Sequence, residues 1–175
     1  AIIAMNHKMV LQKNGYEVAL VFSGEEAVET VKNKSAIDMV LMDIDLDGGI
    51  DGVEATRRIL SMRDVPVVFL TNHSERAYVK RVKQITNYGY VLKNTGEFVL
   101  LETINMAFSL FEARRAVERE KEKYKRVIQS TEEAIITYDF DGKIILINPK
   151  ASSILGGEPG NFVGKNIHEL LPQSN

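Results

Sequence analysis

Apolar residues recur along the first part of the chain with two alternating spacings, one typical of helices and one typical of short strands. The helical spacing predicts helices over residues 2–14, 25–34, 53–60 and 74–84, and a longer helix from residue 97. Short apolar runs predict strands over residues 17–22, 37–42, 65–70 and 88–92. Gly15 follows the first helix and suits a left-handed C-terminal cap. Apolar strands that alternate with helices predict a parallel sheet covered on both faces, hence an α/β fold.

The helix that begins near residue 97 changes character along its length. Between residues 112 and 126, eleven of fifteen residues are charged. Beneath this charge runs a seam with alternating spacings of four and three residues: Met106, Leu110, Ala113, Val117, Glu120, Tyr124 and Val127. Such a seam predicts pairing with another helix, as in a homodimer through residues 97–126. The alternative is a solvated connector whose few apolar residues pack locally, and Glu120 within the seam leaves both interpretations open.

The remainder of the chain returns to strand spacing. Residues 134–138 and 143–147 flank the turn residues 139–142, which end in Asp141-Gly142. An Asp-Gly pair between two β-rich runs predicts a hairpin. A short helix is predicted over residues 149–155, and a last turn over residues 168–171. The second part is therefore predicted to be a small α+β segment.

The composition of the chain argues against several classes of function. The formal net charge is -2 over 175 residues, which argues against nucleic acid or an anionic membrane as a partner. The chain has no cysteine, which fits a reducing compartment such as the cytoplasm and excludes thiol chemistry. No apolar run approaches the roughly 20 residues that a membrane-spanning helix needs.

Three polar residues close three successive predicted strands or follow them directly: Asp43, Thr71 and Lys93. Ligands of open parallel sheets bind beyond the carboxyl ends of the strands, so these side chains are expected to converge. A carboxylate nucleophile, a hydroxyl donor and an ammonium ion together suit phosphoryl transfer.

The segments around these residues resemble the receiver domains of response regulators in two-component signalling. The resemblance is carried by residues 38–43 with the loop 48–52, by Phe69-Leu70-Thr71, and by residues 89–93. It covers about residues 1–112 and implies a flavodoxin-like, doubly wound sheet. It also implies a phosphorelay in which a histidine kinase or phosphotransfer protein donates a phosphoryl group.

By position, the resemblance implies a role for each matching residue. Asp43 is the expected phospho-acceptor, Thr71 the hydroxyl that senses the phosphoryl group, and Lys93 the contact to its oxygens. Tyr90 matches an aromatic switch residue of the family, and the alternative of a core tyrosine at a strand end is compatible with that role. Two further residues match positions that tune phosphoryl lifetime, Asp45 and His73.

Two departures from the family pattern stand out. The family's opening strand and its acidic pair, which help hold Mg²⁺, are missing before residue 2, so only Asp43 and the backbone carbonyl of Asp45 are expected as metal ligands. We expect either that another strand precedes residue 1 or that another segment fills its place in the sheet. Lys93 is followed by Asn94 where the family has proline, and we expect a trans peptide bond there.

The second part resembles the beginning of a PAS domain. The match runs over residues 127–175, through Asn148-Pro149-Lys150-Ala151 and residues 163–167, and residues 113–126 form a charged helical linker before it. The later helices and strands that line a PAS ligand cavity are not included, so no PAS ligand is assigned. The chain carries no output enzyme domain. An alternative is that it forms the N-terminal regulatory part of a hybrid sensor histidine kinase.

Residues 43–54 also satisfy the pattern of an EF-hand calcium loop, with acidic residues at the expected positions and Gly48 at the sharp turn. An EF-hand needs an entering helix, whereas the residues before Asp43 are typical of a strand. Calcium would also leave Thr71 and Lys93 unexplained. Calcium binding is therefore the weaker alternative.

Overall fold

The computed structural model describes residues 2–46, 49–72 and 88–170. The chain divides into two compact units, Ala1–Arg114 and Arg115–Asn175. The helix predicted over residues 74–84 and the residue His73 lie outside the described residues.

The first unit alternates helices with parallel strands. Its elements are α1 (Ile2–Lys13), α2 (Gly24–Asn33), β1 (Val40–Asp43), α3 (Gly52–Met62), β2 (Val67–Thr71), β3 (Tyr90–Leu92) and the start of α4 (Glu97–Ser130). The three strands form one sheet in the order β1-β2-β3, and both pairings are parallel. The predicted parallel sheet is confirmed.

Local sequence explains where these helices begin and end. Helix α1 ends before Gly15, whose φ of 86° is the left-handed conformation that glycine adopts without a steric penalty. The main-chain N–H of Tyr16 then donates to the carbonyl of Leu11 at 3.1 Å, which closes the helix end. The side chains of Ser23 and Asp51 cap the N-termini of α2 and α3 by accepting main-chain N–H bonds.

Strand β2 is the centre of the core, and all five of its residues are buried. Val67 and Phe69 face a cluster with residues of α2 and α3. Val68 and Leu70 face the opposite cluster, with residues of α1 and α4. Alternate side chains thus enter opposite layers, as the period of two in a strand requires, and both faces of the sheet are covered.

The prediction of a strand over residues 17–22 is wrong. Residues 17–21 lie outside any strand or helix, and no β-ladder of the described residues includes them. Val18 and Val21 still pack against the two core clusters, so the apolar residues of this run do contribute to the core. In a flavodoxin-like strand order this run would pair with a strand placed between it and β1. The described residues contain no such strand, so the run has no neighbour with which to form a ladder.

The second unit holds the C-terminal part of α4, a hairpin and short helices. Strands β4 (Ile136–Tyr138) and β5 (Ile144–Ile147) pair antiparallel, which confirms the predicted hairpin. Gly142 in its turn has a φ of 80°, and the carboxylate of Asp139 accepts main-chain N–H bonds from Asp141 and Lys143. Helix α5 (Pro149–Ile154) and two 3₁₀ turns follow. Their small core consists of Ile144, Ile147, Ala151 and Phe162.

Candidate functional site

The carboxyl ends of the three strands bring Asp43 and Lys93 together. Asp43 ends β1, Thr71 ends β2, and Lys93 directly follows β3. The Nζ atom of Lys93 lies 2.6 Å from Oδ2 of Asp43. Because β2 separates β1 from β3 in the sheet, the lysine side chain must reach across the end of β2 to make this ion pair. The convergence expected from sequence is therefore present for this carboxylate and this ammonium ion.

The Asp43 carboxylate is held from two sides. Its Oδ1 atom accepts a hydrogen bond from the main-chain N–H of Asp45 at 3.0 Å, while Oδ2 faces Lys93. The Lys93 side chain is 11% exposed and the Asp43 side chain 30% exposed. Asp43 is therefore reachable from solvent, whereas the ammonium ion that faces it is largely shielded. Such shielding strengthens an ion pair relative to one at an open surface.

Backbone hydrogen bonds fix the position of Lys93. Its main-chain N–H donates to the carbonyl of Thr71 at 2.9 Å. Two residues further on, Thr95 donates both its N–H and its hydroxyl to the carbonyl of Leu92. No described peptide bond is cis, so the Lys93–Asn94 bond is trans, as predicted.

The other predicted site residues differ in their solvent exposure. Thr71 is buried at 2% exposure at the end of the central strand. Tyr90 is 42% exposed on β3, so the interpretation as a core tyrosine is wrong. Asp45 is exposed two residues beyond Asp43, and His73 lies outside the described residues.

Gly52, the first residue of α3, contributes to the site in a way that the sequence analysis did not identify. Its N–H donates to the carbonyl of Ile44 at 3.2 Å. A Cβ atom at this position would overlap the main-chain carbonyl oxygen of Asp43. Only glycine allows α3 to begin so close to the end of β1. The motif that carried the family resemblance contains Gly52, but spacing alone could not show what the glycine touches.

Glu25 holds the loop beyond Asp43. Its carboxylate accepts a hydrogen bond from the main-chain N–H of Ile50 at 2.8 Å. This bond lowers the pKa of Glu25, because it stabilises the charged form of the carboxyl group. Glu25 is distant in sequence from Ile50, so no local pattern could have predicted the contact.

His7 on α1 is a buried neighbour of Lys93. The residue is 8% exposed, and its Nδ1 atom has no hydrogen-bond partner within the described part of the chain. Burial lowers the pKa of His7, and the nearby Lys93 ammonium ion lowers it further. A hydrogen bond to the main-chain carbonyl of Lys93 acts in the opposite direction and raises the pKa. The neutral imidazole is therefore favoured beside the site.

The described residues do not by themselves complete a magnesium site. Mg²⁺ takes oxygen ligands in near-octahedral geometry, commonly one or two carboxylates with waters. Asp43 offers a carboxylate that already faces Lys93, and Asp45 offers a main-chain carbonyl. Among residues 2–46, 49–72 and 88–170, no group of three or more His, Cys, Asp or Glu side chains could hold a metal ion.

The calcium alternative meets a structural difficulty at its first ligand position. Val40–Asp43 is a strand paired with β2, where an EF-hand requires the end of a helix. The carboxylate of Asp51 caps α3 by accepting the N–H of Glu54 at 2.7 Å. These contacts favour the receiver-type interpretation of the loop.

Comparisons with known proteins match each unit to a family. The response regulator receiver domain matches residues 1–105, and the PAS fold matches residues 122–175. No helix of the described residues is long and apolar enough to cross a membrane.

Curated relatives match the first part of the chain. The transcriptional regulatory protein PdtaR of Mycobacterium tuberculosis (strain ATCC 25618 / H37Rv) is 34% identical over 121 residues, which cover 69% of this chain and 58% of PdtaR. The response regulator UvrY of Escherichia coli (strain K12) is 37% identical over 87 residues, which cover 49% of this chain and 39% of UvrY. The matched region thus spans less than two thirds of either relative.

Solved structures agree with this assignment. The N-terminal domain of a response regulator/sensory box/GGDEF three-domain protein from Carboxydothermus hydrogenoformans is 42% identical, with a TM-score of 0.60 over 65% of this chain and 90% of that one. A response regulator receiver protein from Sinorhizobium medicae, at 22% identity, has a TM-score of 0.57 over 63% of this chain and 89% of that one, which shows the fold alone. The expected flavodoxin-like fold is confirmed. The chain belongs to the response regulator receiver domain family of two-component signalling, with a PAS fold after the receiver domain.

Proposed function

We propose that the first unit accepts a phosphoryl group on Asp43 from a phosphohistidine of a histidine kinase or phosphotransfer protein. The observation that carries the proposal is the ion pair of 2.6 Å between Lys93 and Asp43 at the carboxyl edge of the sheet. A solvent-reachable carboxylate beside a shielded ammonium ion suits attack on an anionic donor. Family membership supports the same reaction.

The transfer exchanges one bond to phosphorus for another. A carboxylate oxygen of Asp43 attacks the phosphorus atom, the phosphorus–nitrogen bond of the phosphohistidine breaks, and its electron pair returns to the imidazole. The product is an acyl phosphate on Asp43. In this proposal the Lys93 ammonium ion neutralises charge on the phosphoryl oxygens, and the Thr71 hydroxyl donates a hydrogen bond to one of them.

Phosphorylation then shifts the balance between two conformations. A phosphoryl group on Asp43 adds charge and acceptor oxygens where Lys93 and Thr71 meet it. Strand β3 leads through Lys93 to the start of α4 at Glu97, so a change in the Lys93 loop acts on the end of that helix. Tyr90 changes its side-chain position with the loop, and α4 carries the new state toward the PAS fold.

Intact-mass spectrometry after incubation with acetyl phosphate and Mg²⁺ tests the acceptor. One added phosphoryl group is expected on the native chain and none on Asp43→Asn. The same measurement is made on a chain extended by a strand that ends in two acidic residues, because the described residues do not complete a metal site. Absence of phosphorylation on both chains would refute the acceptor role of Asp43.

Matched variants separate the roles around Asp43. Lys93→Met should slow phosphorylation by roughly tenfold or more, because the charge that faces Asp43 is lost. Lys32→Met removes an exposed lysine of α2 and should leave the rate unchanged. Thr71→Val should permit phosphorylation but abolish the change in amide hydrogen exchange at the start of α4. If Lys93→Met behaves like Lys32→Met, the proposed role of Lys93 is wrong.

A further inference from the structure

The main chain of Lys93 is held from two sides. Its N–H donates to the carbonyl of Thr71 at 2.9 Å, which extends the ladder between β2 and β3 by one bond. Its carbonyl accepts a hydrogen bond from His7 on helix α1. One element of the sheet and one helix therefore fix the peptide groups on either side of the Lys93 Cα atom. The lysine side chain starts from this fixed point, and its Nζ atom lies 2.6 Å from Oδ2 of Asp43.

Core packing brings His7 of helix α1 to the end of β3. Leu11, one turn after His7 and on the same face of the helix, belongs to the buried cluster that contains Val91 of β3 and Leu100 of α4. His7 itself is 8% exposed, and its Nδ1 atom has no hydrogen-bond partner within the described residues. The bond to the Lys93 carbonyl therefore comes from Nε2, which carries the proton of the neutral ring.

Packing alone does not explain a histidine at this position. A buried ring nitrogen without a partner costs stability, whereas an apolar side chain of similar size would avoid that cost. The other α1 residues that pack in this cluster, Val10 and Leu11, are apolar. What the imidazole adds here is the hydrogen bond to the Lys93 carbonyl. A neutral ring makes that bond without placing a second positive charge beside the Lys93 ammonium ion.

We infer that His7 is a positioning residue for Lys93: its hydrogen bond to the Lys93 carbonyl keeps the lysine ammonium ion against Asp43 while the phosphoryl group is transferred. This inference rests on the proposed function. A lysine reaches its target through a flexible stem of four carbons, so the position of its ammonium ion depends on how firmly its Cα atom is held. His7 touches neither the donor nor the transferred group, and it exchanges no proton in the reaction. A displacement of about 1 Å at a catalytic group can cost up to about a hundredfold in rate, so loss of the anchor should be visible in the rate.

Replacement of His7 by leucine separates this role from a structural one. His7→Leu removes both the ring nitrogen without a partner and the bond to Lys93, so the first unit should be at least as stable to urea as in the native chain. The maximal rate of Asp43 phosphorylation by acetyl phosphate with Mg²⁺ should nevertheless fall roughly fivefold. The acetyl phosphate concentration that gives half of this rate should change little. The rates are measured on whichever chain is phosphorylated, the native one or the one extended by an acidic strand.

A conservative variant, a control and a double variant make the test specific. His7→Gln places an amide N–H near the position of Nε2 and should restore most of the rate, even where stability falls. His168→Leu makes the same chemical change at an exposed histidine of the second unit and should leave the rate unchanged. Addition of His7→Leu to Lys93→Met should slow the reaction no further, because His7 acts only through Lys93.

Amide hydrogen exchange supplies a measurement that needs no phosphorylation. His7→Leu should accelerate exchange at the main-chain N–H groups of Lys93 and Thr95, which lie on either side of the anchored carbonyl, and should leave the amides of β1 unchanged. His7→Gln should exchange as the native chain does. Native exchange or a native rate in His7→Leu overturns the inference and leaves the role of Asp43 standing, and so does a further loss of rate when His7→Leu is added to Lys93→Met. If neither chain is phosphorylated, the role of Asp43 fails and the positioning role fails with it, while exchange still reports whether His7 anchors the main chain of Lys93.

Discussion

Asn148 joins the end of helix α4 to the hairpin of the PAS fold, and its replacement should unfold that connection. The residue is 1% exposed. Its Oδ1 atom accepts the main-chain N–H groups of Ile135 at 3.0 Å and Ala151 at 2.9 Å. Its Nδ2 atom donates to the carbonyls of Ile128 at 3.1 Å and Glu133 at 2.8 Å. One amide thus ties the helix end, the following loop and the start of α5 together.

The cost of Asn148→Ala follows from these four bonds. Loss of the cap at the start of α5, through Ala151, costs about 1 kcal/mol. Each of the other three bonds contributes about 0.5–1.5 kcal/mol, and more where the partner is left buried without a hydrogen bond. The variant should therefore lower the free energy of unfolding of the second unit by about 3–5 kcal/mol. Asn148→Ser, which can still cap α5, should recover about 1 kcal/mol of that loss.

Amide hydrogen exchange, with urea unfolding as a second measurement, checks this estimate. Exchange at the N–H groups of Ile135 and Ala151 should accelerate strongly in Asn148→Ala, while amides of β2 in the first unit should be unchanged. Asn166→Ala is the control, because this half-buried asparagine makes two side-chain bonds and water can replace them. If Asn148→Ala costs no more than Asn166→Ala, the proposed role of Asn148 is refuted.

Three further predictions concern the first unit. Gly52→Ala should lower the free energy of unfolding of the first unit by about 1–3 kcal/mol, because the added Cβ would overlap the main-chain oxygen of Asp43. Urea unfolding measures this change. Gly160→Ala is the control and should have little effect, because a Cβ there meets open space. Burial lowers the pKa of His7 below its ordinary 6.5, so the unfolded state takes up the proton first and stability falls as the pH drops below that value. His7→Leu should lose this part of the pH dependence in urea unfolding at a series of pH values, and an unchanged profile would contradict the assignment. The pKa of Glu25 is lowered by the Ile50 N–H, so its contribution to stability is complete above its ordinary 4.5 and is lost as the pH falls through the lower folded value. Glu25→Gln should reduce the loss of stability in that acid range, and acid titration followed by circular dichroism would show whether it does.

Much of the fold could be predicted because its signals are local. The apolar spacing and Gly15 after α1 act within a few residues of the position that they determine. The same holds for the Asp-Gly turn between β4 and β5. Strand ends are also local, which is why Asp43 and Lys93 could be expected at one edge of a parallel sheet.

The errors and omissions concern residues whose partners are distant in the chain. Residues 17–22 have the composition of a strand, but a strand also needs a neighbour for its hydrogen bonds, and the described residues supply none. The alternative of Tyr90 as a core residue was wrong, because side chains alternate between the faces of β3 and Tyr90 is exposed where Val91 is buried. Asn148 was noted only as part of the PAS-like segment, and packing revealed the four hydrogen bonds of its side chain.

The sequence alone was enough to predict most element types, the parallel sheet, the residues at the strand ends and the resemblance to the receiver and PAS families. The tertiary structure decided which of those residues meet: the 2.6 Å pair of Lys93 with Asp43, the contact of Glu25 with Ile50, and the close approach of Gly52 to Asp43. Periodicity and capping depend on neighbours along the chain, so they can be read from the chain alone. Contacts between strand ends and loops depend on how the layers pack, and packing brings together residues whose spacing in the sequence carries no record of the contact.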